Sequence, residues 1–142
     1  MHDEVYNYAI RLLARREYST SQLRARLERK FGTVPESTID RLIEQKYLDD
    51  QRFAETYVRN KKSLGRQRLE YMLVQRGVRG TMVRQVLEAE KWPSLGDALV
   101  AKMKELRMQS PLSVREASRL SRVLERLGYE GEEIRDELAG LL

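Results

Sequence analysis

Two leucines four residues apart, followed by a glycine, recur three times along this chain: Leu23, Leu27 and Gly32; Leu69, Leu73 and Gly77; Leu120, Leu124 and Gly128. Beyond each glycine stands a second apolar pair, Ile39 and Ile43, then Val83 and Leu87, then Ile134 and Leu138. The second and third sets superimpose without a gap at a displacement of 51 residues, and the first needs small insertions around its glycine. Apolar residues four apart lie on one helical face, and each glycine falls where a helix would stop in the left-handed conformation. The repeat therefore predicts an all-α chain.

A further helix precedes each pair. Its apolar face runs Tyr8, Ala9, Leu12 and Leu13 in the first repeat, Phe53, Ala54, Tyr57 and Val58 in the second, and Ala98, Leu99, Met103 and Leu106 in the third. The expectation is about nine helices in three tandem three-helix modules, 1–48, 49–92 and 93–142. Modules this small sit near the lower limit for independent folding and stack on their neighbours, which predicts an elongated molecule. Start signals agree with this division. Ser19 with Gln22, Thr33 with Glu36 and Ser94 with Asp97 have capping-box spacing. Asp49 is placed to cap the next helix, and Ser110-Pro111 reads as a cap followed by proline at the first helical position.

Composition narrows the function classes. The 142 residues contain no cysteine, so neither a disulfide nor a Cys-ligated metal site is available, which fits a reducing compartment. Apolar runs are too short to span a membrane, and the opening MHDEVYNYAI does not read as a secretory signal. The formal net charge is +5, with 20 arginines against 7 lysines. Arginine suits fixed, bidentate contacts to phosphate or carboxylate.

The charge is unevenly distributed. The three modules hold nine basic against seven acidic residues, ten against six, and eight against nine. In the middle module Arg59, Lys61, Lys62, Arg66, Arg68, Arg76, Arg79 and Arg84 face the single acid Glu70 between Tyr57 and Arg84. This is either a solvated face or a grip on an anionic partner. Gly65, within that basic stretch, reads as a tight corner between helices rather than a phosphate cradle. In the third module Arg115, Arg119, Arg122 and Arg126 fall within about 60° of one another around a helix. Glu130, Glu132, Glu133, Asp136 and Glu137 follow closely, so intramolecular pairing is the favoured expectation for this row and phosphate binding the alternative.

The residue types of an enzyme are missing. The one histidine, His2, stands at a terminus expected to be mobile, and nucleophilic catalysis normally needs such a base. Nucleotide-binding glycine loops are absent. Asp49-Asp50 is better explained by capping and the helix dipole than by a metal. No catalytic residue, metal or cofactor is expected.

The stretch YLDDQRFAETYVRNKKSLGRQRLEYMLVQRGV, residues 47–78, resembles the central motif of the RecX family of recombination regulators. The resemblance rests on Leu48-Asp49-Asp50, Arg52-Phe53-Ala54, Gly65 with Arg68-Leu69, Leu73 and Gly77-Val78. Residues 8–27, YAIRLLARREYSTSQLRARL, resemble the family's N-terminal repeat, and the third repeat agrees in pattern. The resemblance implies a cytoplasmic, non-enzymatic modulator of RecA, built of three three-helix repeats in an elongated, curved arrangement. Such proteins lie in the groove of the RecA–single-stranded DNA filament and restrain ATP hydrolysis, strand exchange and coprotease activity. It implies the RecA nucleoprotein filament as partner, with single- or double-stranded DNA as a further contact, and the middle-module cations as the contact residues. A monomer with no membrane attachment is the simplest expectation. The rival reading is a helical DNA-binding protein or transcription factor of helix-turn-helix type, and a scaffold for acidic proteins is the third.

Overall fold

The computed structural model describes residues 2–142; the side chain of His2 lies outside the described residues. Among the described residues there are nine α-helices. The first three are α1 His2–Arg15, α2 Thr20–Phe31 and α3 Glu36–Glu44. They are followed by α4 Asp50–Asn60, α5 Arg66–Gln75 and α6 Gly80–Ala89. The last three are α7 Leu95–Glu105, α8 Val114–Arg126 and α9 Gly131–Ala139. A short 3-10 turn, Lys62–Leu64, precedes α5. The helices form tandem three-helix repeats, as the leucine–glycine pattern predicts. The chain gathers into two compact units, one running to Asn60 and including Glu70–Ala89, the other combining Lys61–Leu69 with Glu90–Leu142.

The six repeat leucines, Leu23, Leu27, Leu69, Leu73, Leu120 and Leu124, are all fully buried. In the first unit Leu23 and Leu27 of α2 join Val5, Ala9 and Leu12 of α1, Ile39 and Leu42 of α3, and Leu48 in one core. In the second, Leu120 and Leu124 of α8 meet Ala98 and Leu99 of α7 and Ile134 and Leu138 of α9. Truncating any of these leucines to alanine should cost about 2–5 kcal/mol. One expected core residue is displaced: Ile43 is 46% exposed, and Leu42 is buried in its place. The Leu42 carbonyl accepts the N–H groups of both Tyr47 and Leu48. That turn folds Leu48 under the helix and fixes which face of α3 looks inward.

The caps divide into those that form, the Ser94 box in its serine half alone, and two that do not. Ser19 and Gln22 make a complete capping box on α2. The Ser94 hydroxyl accepts the Asp97 N–H on α7 at 3.1 Å, and the Asp49 carboxylate accepts the Arg52 N–H on α4 at 3.0 Å. The Thr33–Glu36 box does not form; α3 begins at Glu36 with Pro35 at its cap position and no side-chain cap bond. Proline keeps the residue before it, Val34, extended, so the helix starts only after Pro35. Ser110 likewise does not cap α8. Ser113 does, in a reciprocal box with Glu116, which satisfies two otherwise unpaired N–H groups, while the Ser110 hydroxyl is directed to the Leu141 carbonyl at 3.4 Å.

Within the first unit, polar groups tie α2, α4 and α5 together. The buried Ser19 hydroxyl accepts the Gln22 N–H and donates to the Arg76 carbonyl at the end of α5. The Asp50 carboxylate accepts the Thr20 N–H at 2.8 Å, so the first turn of α4 satisfies an N-terminal amide of α2. The Arg52 guanidinium donates to the Lys46 and Tyr47 carbonyls and to Glu17. It thereby secures a turn in which Lys46 is held at φ 64°. Gly77, at φ 85°, is doubly required, because a Cβ there would collide with the Ser21 side chain.

Candidate anion-binding surface

The basic corner that leads into α5 is built around one glycine. Gly65 has φ 86° and ψ 160°, a region essentially restricted to glycine. A Cβ there would lie 2.8 Å from the Leu127 Cα at the end of α8. The Gly65 N–H donates to the Lys62 carbonyl. Gly65 is thus a corner and a close-packing point, as its setting in the sequence predicts, and its N–H is already engaged.

The cations around it divide by what they touch. Lys62 places its ammonium 2.9 Å from the Glu90 carboxylate, donates to the Lys91 carbonyl, and lies 5.8 Å from the Trp92 ring centroid. Glu90 is only 17% exposed at its side chain, so this ion pair is half-buried rather than a loose surface contact. Arg66 lies over the same indole at 5.8 Å, an arrangement that favours a cation through the ring quadrupole. Lys61 also has an intramolecular contact. Arg68 alone of this group is exposed with no carboxylate within ion-pair distance among the described residues.

The remaining middle-module cations belong to the first unit. Arg59 is 3.3 Å from Glu55, one turn back on α4. Arg76 donates to the Met72 carbonyl and lies 4.9 Å over the Tyr57 ring. Arg84 reaches Glu70 at 4.0 Å, a long contact. Arg79 is exposed and without an ion pair among the described residues. Most of the cations read from the sequence as an available grip therefore have partners within the fold.

The third-repeat row behaves in the opposite way. Arg115, Arg119, Arg122 and Arg126 are all exposed on α8, and none lies within ion-pair distance of a carboxylate among the described residues. The favoured pairing with Glu130, Glu132, Glu133, Asp136 and Glu137 does not occur. Among the described residues the one hydrogen bond from a guanidinium of the row is a long one, 3.5 Å from Arg126 to the Arg122 carbonyl. The physical reason lies in the packing direction. α8 buries Leu120 and Leu124 against α9, so the arginine face, on the other side of the helix, points away from it. Four like charges at three- and four-residue spacing repel by a few tenths of a kcal/mol per pair, about 1 kcal/mol in all.

Close by, the Tyr129 hydroxyl donates to the Pro93 carbonyl. Partial burial pushes its pKa above the usual tyrosine value of 10.0, and the Asp97 charge adds to that shift. No group of three or more His, Cys, Asp or Glu among the described residues could hold a metal ion, and no helix there is long and apolar enough to cross a membrane. Sequence reasoning missed one basic group altogether, Arg11, Arg15, Arg26 and Lys30 in the first repeat. Its signal was present as two pairs four residues apart, hidden because nearby acids make the net charge of that module small.

The fold and this surface are those of an all-α repeat protein that presents arginine on open helix faces. Residues 6–45 match the first three-helix domain of RecX, and residues 49–87 match the second. The Regulatory protein RecX of Chromohalobacter salexigens is 37% identical over 139 residues, covering 92% of this chain and 88% of that protein. That of Halorhodospira halophila is 33% identical, covering 94% and 85% respectively. The crystal structure of RecX from Lactobacillus salivarius superposes with a TM-score of 0.71 over 97% of this chain and 96% of that one, at 18% identity, and so shares the fold. The chain belongs to the RecX family.

Most residues of the motif shared with that family have structural work. Leu48, Phe53, Ala54, Leu69, Leu73 and Val78 are core, Asp49 and Asp50 serve helix termini, Arg52 secures a turn, and Gly65 and Gly77 permit corners. Arg68 is exposed and makes no ion pair among the described residues.

Proposed function

We propose that this chain regulates RecA by binding the RecA–single-stranded DNA filament and restraining its ATP hydrolysis, strand exchange and coprotease activity. The three modules 1–48, 49–92 and 93–142 would serve as successive contact units of a monomer working in the cytoplasm. Family membership supports the RecA target. The observation that carries the mode of contact is the α8 arginine row, four exposed guanidinium groups with no ion-pair partner among the described residues. Arranging them side by side is unfavourable in the free protein, and an acidic RecA surface or DNA phosphate relieves that repulsion. Arg68 and Arg79 supply further contacts in this reading. Arg59, Lys62 and Arg84, ion-paired within the fold, contribute mainly to shape and local charge, while Arg66 and Arg76 rest on aromatic rings and keep their charge.

The test is a titration of RecA's ATP hydrolysis on single-stranded DNA, with binding to bare DNA measured in the same buffer. Inhibition well below the concentration that coats bare DNA supports the filament as target. Inhibition only when bare DNA is saturated would favour the helical DNA-binding reading instead, and an unaffected ATPase would reject RecA regulation.

A further inference from the structure

The first repeat holds a second basic surface that none of the residues discussed as RecA contacts contributes to. α1 and α2 pack together, and between them runs a groove lined by Tyr8, Arg11, Arg15, Arg26, Lys30 and Phe31, with Glu4 the one acid in its wall. The cations come as two pairs, Arg11 with Arg15 on α1 and Arg26 with Lys30 on α2. Each pair is separated by one helical turn, about 6 Å along its axis. All four are exposed, and none has an ion pair within 4.0 Å among the described residues, although Glu17 and Glu36 nearby pair with Arg52 and Arg24.

The aromatic rings organise this groove. Tyr8 and Phe31 pack edge to face at 5.7 Å. Lys30 places its ammonium 4.7 Å from the Tyr8 centroid and 5.8 Å from that of Phe31, and Arg11 lies 5.8 Å from Tyr8. A cation resting on a ring is held near one position without being neutralised, so less side-chain freedom is lost when an anion arrives. The result is a set of four positive charges, two of them held on the rings, with Glu4 the one acid in the lining.

We infer that this groove binds the phosphate backbone of single-stranded nucleic acid. The composition of the lining decides between a strand and an acidic protein. Protein–protein interfaces are depleted of charged residues other than arginine at their centres and filled with apolar and aromatic anchors. Here the centre is cationic, and the two rings are occupied by their own cations and by each other. Surfaces that meet nucleic acid are much more positively charged, and arginine forks fit phosphate oxygens in pairs. The site reads backbone rather than bases, so binding is insensitive to sequence and strongly dependent on salt.

The experiment uses the full chain and a fluorescently labelled thirty-nucleotide oligothymidylate, with affinity measured by anisotropy across a salt series. In R15Q/R26Q, whose side chains make no internal ion pair, affinity should fall about tenfold. The slope of log affinity against log salt should become shallower by about 1.4, the value for two lost phosphate contacts on a single strand. R15K/R26K should retain the slope and recover part of the affinity, with circular dichroism confirming that both variants stay folded. An unchanged affinity and slope in folded R15Q/R26Q would overturn the inference. So would binding of a polyglutamate peptide of equal charge as tight as that of the strand, lost in the same variant, which would assign the groove to acidic protein. Because the probe is bare strand without RecA, either result leaves the proposed RecA regulation to its own ATPase test.

Discussion

The corner around Gly65 and the outer face of α8 carry similar charge and have opposite structural fates. At the corner, Lys62 is tied to Glu90 and Lys91, and Arg66 rests on Trp92. On α8, four arginines reach solvent with no ion-paired acid among the described residues. In the sequence the corner has no acid among residues 59–69, whereas the α8 row is followed by a crowd of them. Proximity along the chain suggested the wrong pairings in both places. What decides is which face each helix turns to its neighbours: the acid that neutralises Lys62 lies 28 residues away, while those close to α8 in sequence are exposed around a helix that packs on its apolar side. A cationic stretch is thus a poor guide to a binding surface until its internal partners are known.

The largest effect that can test this contrast is at the corner itself. Gly65→Ala should destabilise the protein by about 3 kcal/mol, because it combines strain in a glycine-only region with a collision against the backbone at Leu127. Gly32→Ala is the control. It also has positive φ, but a Cβ there meets nothing within 4 Å, so the cost should be about 1 kcal/mol. Urea unfolding of the two variants measures the difference, and equal losses would remove the close-packing role given to Gly65.

The opposite pole of the comparison is probed by R119A/R122A. Folding stability should stay level or rise slightly, since like-charge repulsion is relieved. Affinity for the RecA filament should fall about tenfold, which is ~1.4 kcal/mol. Equilibrium binding at two salt concentrations alongside thermal unfolding separates the two effects. A loss of stability without a loss of binding would mean the row is structural after all.

Lys62→Ala should show the reverse pattern at smaller size. Removing the partner of the half-buried Glu90 should cost about 0.5–1 kcal/mol in denaturant unfolding. Filament affinity should stay within about twofold of wild type, or ~0.4 kcal/mol. Should binding fall as far as in the α8 variant with stability intact, Lys62 would have to be moved back among the contact residues.

These contrasts also show how far the sequence could be read. The helical repeat was legible because burial of leucines four apart is a local, periodic property, and all six repeat leucines are buried. Caps were legible where one serine and its third neighbour decide the matter, as at Ser19 with Gln22. They were missed where a competing local rule intervened, as at Pro35, or where a stronger box lay three residues on, as at Ser113 with Glu116. Asp50 was recognised as a helix-end residue, but its partner, the Thr20 amide 30 residues earlier, depends on tertiary packing. The groove of Arg11, Arg15, Arg26 and Lys30 escaped notice because its two pairs lie on different helices. Each pair alone is an ordinary solvated face, and only packing α1 against α2 makes them a site.

The smallest expected effect joins the two regions through Tyr129, which follows α8 and donates its hydroxyl to the Pro93 carbonyl, one residue beyond the Trp92 that the corner cations cover. Burial, with help from Asp97, raises its folded pKa above 10.0. A raised pKa means that the folded state holds the phenolic proton more tightly than the unfolded chain does. The associated stability is therefore complete below pH 10 and is lost as pH rises through the folded value. Thermal unfolding from pH 8 to 11 should show a steeper alkaline decline in wild type than in Tyr129→Phe, which lacks both the hydroxyl and its titration. At pH 8 the variant should be the less stable of the two, through the lost bond to Pro93, and the difference should narrow above pH 10. Parallel profiles would mean that the hydroxyl is as free to ionise in the folded protein as in the unfolded chain, and that the Pro93 bond does not hold the end of α8 to the chain beside Trp92.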